Sequence, residues 1–239
     1  MSAAPQTVRI DIWSDVMCPW CAIGYGQLTK ALDELDGEIA AEIRWRPFEL
    51  NPDMPPEGEE QAAHLQRKYR RSAEETQAVR ENMRAIARAA GVSLDYAGDE
   101  GDGDDSDGGD PPPAMMWNTF EAHRLLEWTL VEHGARAQTR LKLALLEAHF
   151  QHRRRIGERD VLLDIAQEAG LDRDAAAAAL DDEELAAKVR AEERSAMDAN
   201  ITGVPAMVVN GKFLIPGAQA PDTYVNALRR IVSRRAAAL

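Results

Sequence analysis

Cysteine is scarce in this chain, which has only Cys18 and Cys21 among its 239 residues. A small secreted protein held together by disulfides would need many cysteines at regular spacings, so that class is excluded. At this length, and with 45% hydrophobic residues, the chain is expected to bury a large core as one elaborated domain or as two. The two thiols are therefore chemical, metal-binding or incidental, but not a structural framework.

Long hydrophobic runs and an excess of positive charge are also absent. No segment has about 18 consecutive apolar residues, and residues 1–16 lack the basic and apolar regions of a secretory signal. We therefore expect a cytoplasmic protein with no membrane partner, in which a close cysteine pair favours redox or metal chemistry. The net charge of −13 argues against nucleic acid as the main partner, because nucleic acid needs a basic face.

The pattern of apolar residues divides the chain into three parts. Residues 1–58 read as strand, helix and strand, and residues 59–197 are rich in helical spacing. Residues 198–239 return to two short apolar runs around Asn210-Gly211, a dipeptide that favours a type I′ hairpin turn, and then to an amphipathic helix. The predicted order is βαβ, a helical block, then ββα.

One acidic segment, residues 98–113, interrupts the helical block. Its alternating aspartates resemble a calcium loop, but the sixth and twelfth positions counted from Asp102 hold Asp107 and Pro113 instead of glycine and a carboxylate. This composition cannot bury enough apolar surface to order itself, so we expect a flexible, solvated loop.

The position of the two cysteines predicts thiol chemistry. Cys18 follows a strand and precedes a helical run, so it is expected at the helix N-cap with Pro19 as the first helical residue. Cys21 then lies on the same side of the first turn, within reach of a disulfide. The helix terminus is expected to lower the pKa of Cys18, which favours Cys18 as the attacking thiol and Cys21 as the resolving thiol.

Two other interpretations of the pair stay open. Half of a zinc site would need further ligands, and the only closely spaced histidines are His149 and His152, on a helix whose other residues are expected to be solvated. Two incidental buried thiols are the second alternative. Neither explains the proline between the cysteines, nor the segment "ITGVPAMVV" near the other end, where a cis Val204-Pro205 bond before a strand would suit a fixed turn.

Taken together, the motifs "SDVMCPWCAIG", "FELNPDMP", "NTFEAHRLLEW" and "GVPAMVVNGKFLIPGAQ" resemble those of the thioredoxin superfamily. The resemblance is to its DsbA-like branch and, within it, to FrnE-like proteins. It implies an α/β thioredoxin fold with a large inserted all-helical domain. It also implies that Cys18 attacks, Cys21 resolves, and Pro205 is a cis-proline beside them. Pro19, Trp20 and the backbone of Val204 would contact an extended substrate segment.

The function implied is that of a cytoplasmic thiol–disulfide oxidoreductase or disulfide isomerase that acts on disulfide-containing proteins or peptides. No metal and no tightly bound cofactor are expected, glutathione would serve as co-substrate or reductant, and the protein would be a monomer or homodimer. Asn51 is either a glutathione or substrate contact or a turn residue. Asn118 and His123 either line the cleft from the inserted helices or are packing positions.

Two other functions are weighed against this one. Kappa-class glutathione transferases and 2-hydroxychromene-2-carboxylate isomerases belong to the same branch and bind glutathione at the equivalent place. They typically carry serine where Cys18 stands, so a glutathione-dependent isomerase or transferase acting on a small aromatic or polyketide-like substrate is the alternative. A helical-domain holdase with vestigial thiols is the third.

Overall fold

The computed structural model describes residues 4–70, 72–97 and 112–236. Its first part runs through β1 (Gln6–Ser14), α1 (Pro19–Glu34) and β2 (Ile39–Pro47). β1 and β2 pair in parallel from Gln6↔Ile39 to Ser14↔Pro47. Parallel strands need a crossover, and α1 supplies it. The predicted βαβ unit is confirmed.

The last part of the chain completes the same sheet. β5 (Ala206–Val209) pairs antiparallel with β1, β6 (Phe213–Pro216) pairs with β5, and α8 (Pro221–Ala236) follows. The strand order is β2-β1-β5-β6. Asn210 and Gly211, between β5 and β6, have φ values of 52° and 67°, as a type I′ turn requires. The order βαβ, helices, ββα is the thioredoxin arrangement implied by the resemblance.

The inserted part lies between β2 and β5 and is mostly helical. It also contains a pair of two-residue strands, which the sequence pattern did not predict. Its elements are β3 (Glu59–Glu60), α2 (Gln61–Tyr69), α3 (Ala73–Ala90), β4 (Met115–Met116), α4 (Phe120–Phe150), α5 (Arg159–Glu168), α6 (Arg173–Asp181) and α7 (Glu183–Asp198). The acidic segment predicted at residues 98–113 lies outside the described residues, apart from its last two.

Helix α4 differs from expectation in two ways. Glycine often ends a helix, as Gly134 would here, whereas the structure continues α4 through a local break at that glycine, whose φ is 81° and ψ 174°. The half after the break was expected to be solvated around His149, and this is wrong. Leu141, Leu145 and His149 are all buried, because this half packs between the sheet and the other inserted helices.

Two main apolar cores result, and α4 joins them. One lies between the sheet, α1 and α8, and the other lies within the inserted helices. The side-chain amide of Gln138 on α4 accepts from the Trp45 backbone N–H at 2.8 Å and donates to its C=O at 2.9 Å. α4 therefore satisfies both backbone groups of Trp45 on edge strand β2. No described helix is long and apolar enough to cross a membrane.

Candidate active site

Cys18 occupies the N-cap of α1, as predicted. Its backbone is extended (φ −86°, ψ 111°), Pro19 is the first helical residue, and the Cys18 carbonyl accepts from the N–H of Cys21 at 3.0 Å. Cys21 follows in the first turn of the helix. Cys18 is 3% exposed and Cys21 is fully buried, and both are free thiols in this structure.

The N-terminal and C-terminal parts of the thioredoxin fold come together at Cys18. The Val204-Pro205 peptide bond is cis, as the sequence suggested, and the Cys18 thiol points at the Val204 carbonyl oxygen, with Sγ and O 3.8 Å apart. Pro205 also packs on α1 at Gly24, where an added Cβ would lie 2.9 Å from the proline Cγ. Glycine at position 24 therefore lets Pro205 pack closely on α1.

An open groove of about 510 Å³ begins at Cys18. Pro19, Trp20, Asn51 and Val204, four of the residues predicted to contact substrate, line it. Further lining residues come from α1, the inserted helices and neighbouring loops: Met17, Leu50, Gln61, His64, Leu65, Lys68, Tyr69, Thr76, Val79, Arg80, Met83, Met116 and Gly203. The groove is largely apolar, with Lys68 and Arg80 as its cations.

Asn51 belongs to a polar cluster on the groove wall. Its Oδ1 accepts from Lys68 Nζ at 2.9 Å and lies 3.1 Å from His64 Nε2, while His64 Nδ1 lies 2.9 Å from Glu59. The carbonyl of Asn51 also accepts from the N–H of Met54, so the residue forms a turn as well. The turn interpretation of Asn51 therefore describes the structure, and a contact from Asn51 to glutathione or substrate stays a prediction.

Asn118 and His123 do not line the groove, which corrects the interpretation that they face the cleft. Asn118 accepts from the N–H of Phe120 and donates to the carbonyl of Met54, so it fastens the start of α4. His123 is 2% exposed and lies behind the dithiol, with Nε2 3.9 Å from Asp15 Oδ1. Burial, aided by the charge of Lys142, holds the pKa of His123 well below its usual range.

The proton distribution between the thiols differs from the expected one. A hydrogen bond to Cys21, together with burial, raises the pKa of Cys18 well above its ordinary value. Burial also raises the pKa of Cys21, but hydrogen bonds from Cys18 and Ser14 and the positive charge of Lys142 outweigh it, so the pKa of Cys21 is lowered. The pKa values of the two thiols are therefore shifted in opposite directions, up for Cys18 and down for Cys21. The hydrogen bond to Cys21 and burial act on Cys18, whereas Cys18, Lys142 and Ser14 act against burial on Cys21.

Two buried charges lie behind the thiols. The Asp15 carboxylate accepts from the N–H groups of Leu50 at 2.8 Å and Met17 at 3.3 Å, and burial raises its pKa despite these bonds. Lys142, on α4, is fully buried, and burial lowers its pKa to about 8 against the opposing charges of Cys21, Asp15 and Cys18. Sequence reasoning missed both residues. The available signals were an acid beside the strand end and a lysine inside the apolar run "RLKLALL".

Comparisons with known proteins agree with this fold. The family model for the DSBA-like thioredoxin domain matches residues 9–229. A probable DsbA oxidoreductase from Streptomyces coelicolor is 30% identical, with a TM-score of 0.77 over 93% of this chain and 89% of that chain.

Two less similar structures share the fold. The cytosolic disulfide reductase DsbM from Pseudomonas aeruginosa, whose structure is with GSH, is 20% identical, with a TM-score of 0.57 over 94% of this chain and 99% of that one. A 2-hydroxychromene-2-carboxylate isomerase is 14% identical, with a TM-score of 0.63 over 97% and 99%. Among the described residues, no cluster of three or more histidine, cysteine or acidic side chains could hold a metal ion.

Proposed function

This chain belongs to the DSBA-like thioredoxin domain family, and we propose that it is a protein-disulfide reductase or isomerase of the cytoplasm that uses glutathione as its reductant. The family and the close Cys18–Cys21 pair support thiol–disulfide exchange as the kind of chemistry. The observation that carries the finer proposal is the position of Cys18. Cys18 lines an open groove of about 510 Å³, whereas Cys21 is fully buried and does not line it.

The proposed reductive cycle begins with a proton transfer between the two thiols. Transfer of the Cys18 proton to the Cys21 thiolate makes Cys18 the nucleophile, which attacks a substrate disulfide. The substrate S–S bond breaks, one sulfur leaves with the electron pair and takes up a proton, and the other stays bound to Cys18. Cys21 passes the proton that it received to this leaving sulfur and becomes a thiolate again. The Cys21 thiolate then attacks Cys18 Sγ, the bond from Cys18 to the substrate breaks, and the second substrate sulfur leaves with the electron pair and takes a proton from water. The Cys18–Cys21 dithiol has thereby given two electrons to the substrate and become a disulfide, and two glutathione molecules restore the dithiol by becoming glutathione disulfide.

The groove favours a substrate that combines an extended backbone with apolar side chains. Val204 lies beside Cys18, where its backbone would pair with a substrate segment in the manner of an added strand. Trp20, Tyr69 and Val79 line the groove and are 40%, 51% and 44% exposed. Apolar side chains next to a substrate cysteine would cover these surfaces.

Glutathione fits the same groove through its charges. Lys68 and Arg80 are the cations that line it, and glutathione carries two carboxylates. The DsbM structure with GSH supports this partner by the shared fold alone. We expect glutathione to bind near Cys18 as reductant, without being held tightly between cycles.

Insulin reduction by glutathione tests the proposed function. The wild-type protein should accelerate it, and Cys18→Ser should abolish the acceleration, because no nucleophile then faces the groove. Cys21→Ser should accumulate a mixed disulfide on Cys18, visible by mass spectrometry, because nothing resolves it. Turnover of small aromatic substrates that needs glutathione but not Cys21 would instead indicate the isomerase or transferase alternative. Activity as a holdase that is indifferent to Cys18→Ser would indicate the third function.

A further inference from the structure

Lys142 is the described buried cation closest to the chemistry, and the cycle above does not use it. The side chain is 0% exposed, and its Nζ has no hydrogen-bond partner among the described residues. Nζ lies 5.2 Å from the centre of the Trp45 ring. Burying an ammonium group that has no hydrogen-bonding partner costs free energy. Nearby negative charge is needed to offset this cost.

The structure supplies that compensation from the dithiol side. Lys142 interacts electrostatically with Cys21, Asp15 and Cys18, and the fourth ionisable group facing it, His123, is held neutral by burial. Asp15 is also engaged by the backbone N–H groups of Leu50 and Met17, so Cys21 is the anion whose charge changes during the cycle.

We propose that Lys142, which the inserted helical domain carries into the site, is a positioning residue that stabilises the Cys21 thiolate and thereby sets the redox equilibrium of the dithiol. The proposal rests on the proposed function, since it concerns the same two thiols. It assigns to the insertion an electrostatic part in the reaction in addition to lining the groove.

The mixed-disulfide stage is where Lys142 matters most. Once Cys18 is bonded to substrate, it has no thiol proton to donate, and the strongest hydrogen bond that stabilises the Cys21 anion is lost. The positive charge of Lys142 remains and favours the thiolate of Cys21. The Cys21 thiolate attacks Cys18 Sγ, and the bond from Cys18 to the substrate sulfur breaks. The substrate sulfur leaves with the electron pair and takes a proton from water.

The first experiment measures the ionisation of Cys21 alone. Cys18→Ala leaves one thiol and removes the hydrogen bond from Cys18, as the mixed disulfide does. Ultraviolet thiolate absorbance against pH then gives the Cys21 ionisation constant without requiring access to the buried sulfur. Adding Lys142→Met should weaken ionisation at least about tenfold, since a nearby opposite charge typically shifts a pKa by about 1–3 units. Lys142→Arg should keep the constant within about threefold, and Lys212→Met, at an exposed lysine, should leave it unchanged.

The second experiment reads the equilibrium in the two-cysteine protein. Lys142 stabilises the ionised, reduced pair, so Lys142→Met should shift the equilibrium with glutathione about tenfold towards the disulfide, or about 30 mV. An unchanged Cys21 ionisation constant in Lys142→Met overturns the proposal. So does an equal change in folded Lys142→Met and Lys142→Arg, which would mark a packing effect.

If the variants do not fold, nuclear magnetic resonance of isotopically labelled lysine in the wild-type protein decides the question. The pKa of Lys142 should fall when the dithiol is oxidised, because the Cys21 anion is gone. Equal pKa values in the two redox states would refute the coupling. None of these measurements uses a disulfide protein substrate, so the proposal and insulin reduction can fail separately.

Discussion

Cys18 lines a groove that the exposed ring of Trp20 borders, whereas Cys21, one turn further along α1, is enclosed with Asp15 and Lys142 behind it. The first thiol faces a backbone carbonyl, and the second faces hydrogen-bond donors and a cation. The pKa values of two identical side chains, three residues apart, are therefore shifted in opposite directions. Under the proposed function, this difference separates two tasks: the open side would bind a substrate, and the sealed side would stabilise the charge that resolution requires.

Both environments depend on the insertion. Helices α2 and α3 supply groove residues such as Lys68, Tyr69 and Val79, while α4 supplies Lys142. The thioredoxin part contributes the strand-to-helix junction and the turn at Pro205. A thioredoxin fold without these helices would keep the two sulfurs adjacent but would lose the contrast between them.

The most direct way to break this comparison is to alkylate the reduced wild-type protein with iodoacetamide near neutral pH. Cys18 should react about a hundredfold faster than Cys21, because Cys18 lines the groove and reagent can reach its sulfur, whereas Cys21 is sealed. Peptide mapping by mass spectrometry measures both rates, with the denatured protein as the control in which the difference should largely disappear. Equal rates, or a faster Cys21, would contradict the assignment of Cys18 as the attacking thiol.

A substitution that removes hydrogen bonds on the buried side of the site should have the next largest effect, which is a loss of stability. Gln138 is buried one turn before Lys142 and pairs with both backbone groups of Trp45. Gln138→Leu leaves a buried N–H and C=O unpaired, so it should lower the free energy of unfolding by about 2 kcal/mol. Urea denaturation measures the loss. Gln167→Leu, at an exposed position of α5, is the matched control and should change stability by less than about 0.5 kcal/mol. Equal stability of the two variants would show that the Trp45 backbone finds other partners.

The open side was far more predictable from the sequence than the sealed side. Cys18 at the N-cap, the Asn210-Gly211 turn and the cis bond before Pro205 all depend on neighbours in the chain, whose conformational preferences are local. The charge of Lys142 acts on Cys21 because α4 packs on β2, and the two residues are far apart in sequence. Propensity and spacing carry no information about such long-range arrangements, so the predicted direction of the Cys18 pKa shift was wrong.

Replacement of the acidic segment should have the smallest effect on stability and activity. Residues 99–111 contain seven acidic side chains, so their removal would change the net charge from −13 to −6. Both flanks are held near the end of α4: the N–H of Ala97 donates to the carbonyl of Gln151 at 2.9 Å, and Arg153 donates to the carbonyl of Pro112 at 2.5 Å. A short Gly-Ser linker in place of residues 99–111 should therefore close without strain. Loop-closure entropy varies slowly with length, so the free energy of unfolding should change by less than about 1 kcal/mol.

Thermal unfolding and insulin reduction measure this outcome. A second variant, in which Gly and Ser replace the same residues at unchanged length, separates the loss of charge from the loss of length. Both variants should keep the insulin-reduction rate within about twofold, because Debye screening at physiological salt limits long-range effects of exposed charge on the thiols to within about 8 Å. A large loss of stability or rate in both variants would mean that the acidic segment contacts the body of the protein. Such a loss confined to the shortened variant would mean that the span between Ala97 and Pro112 needs its full length.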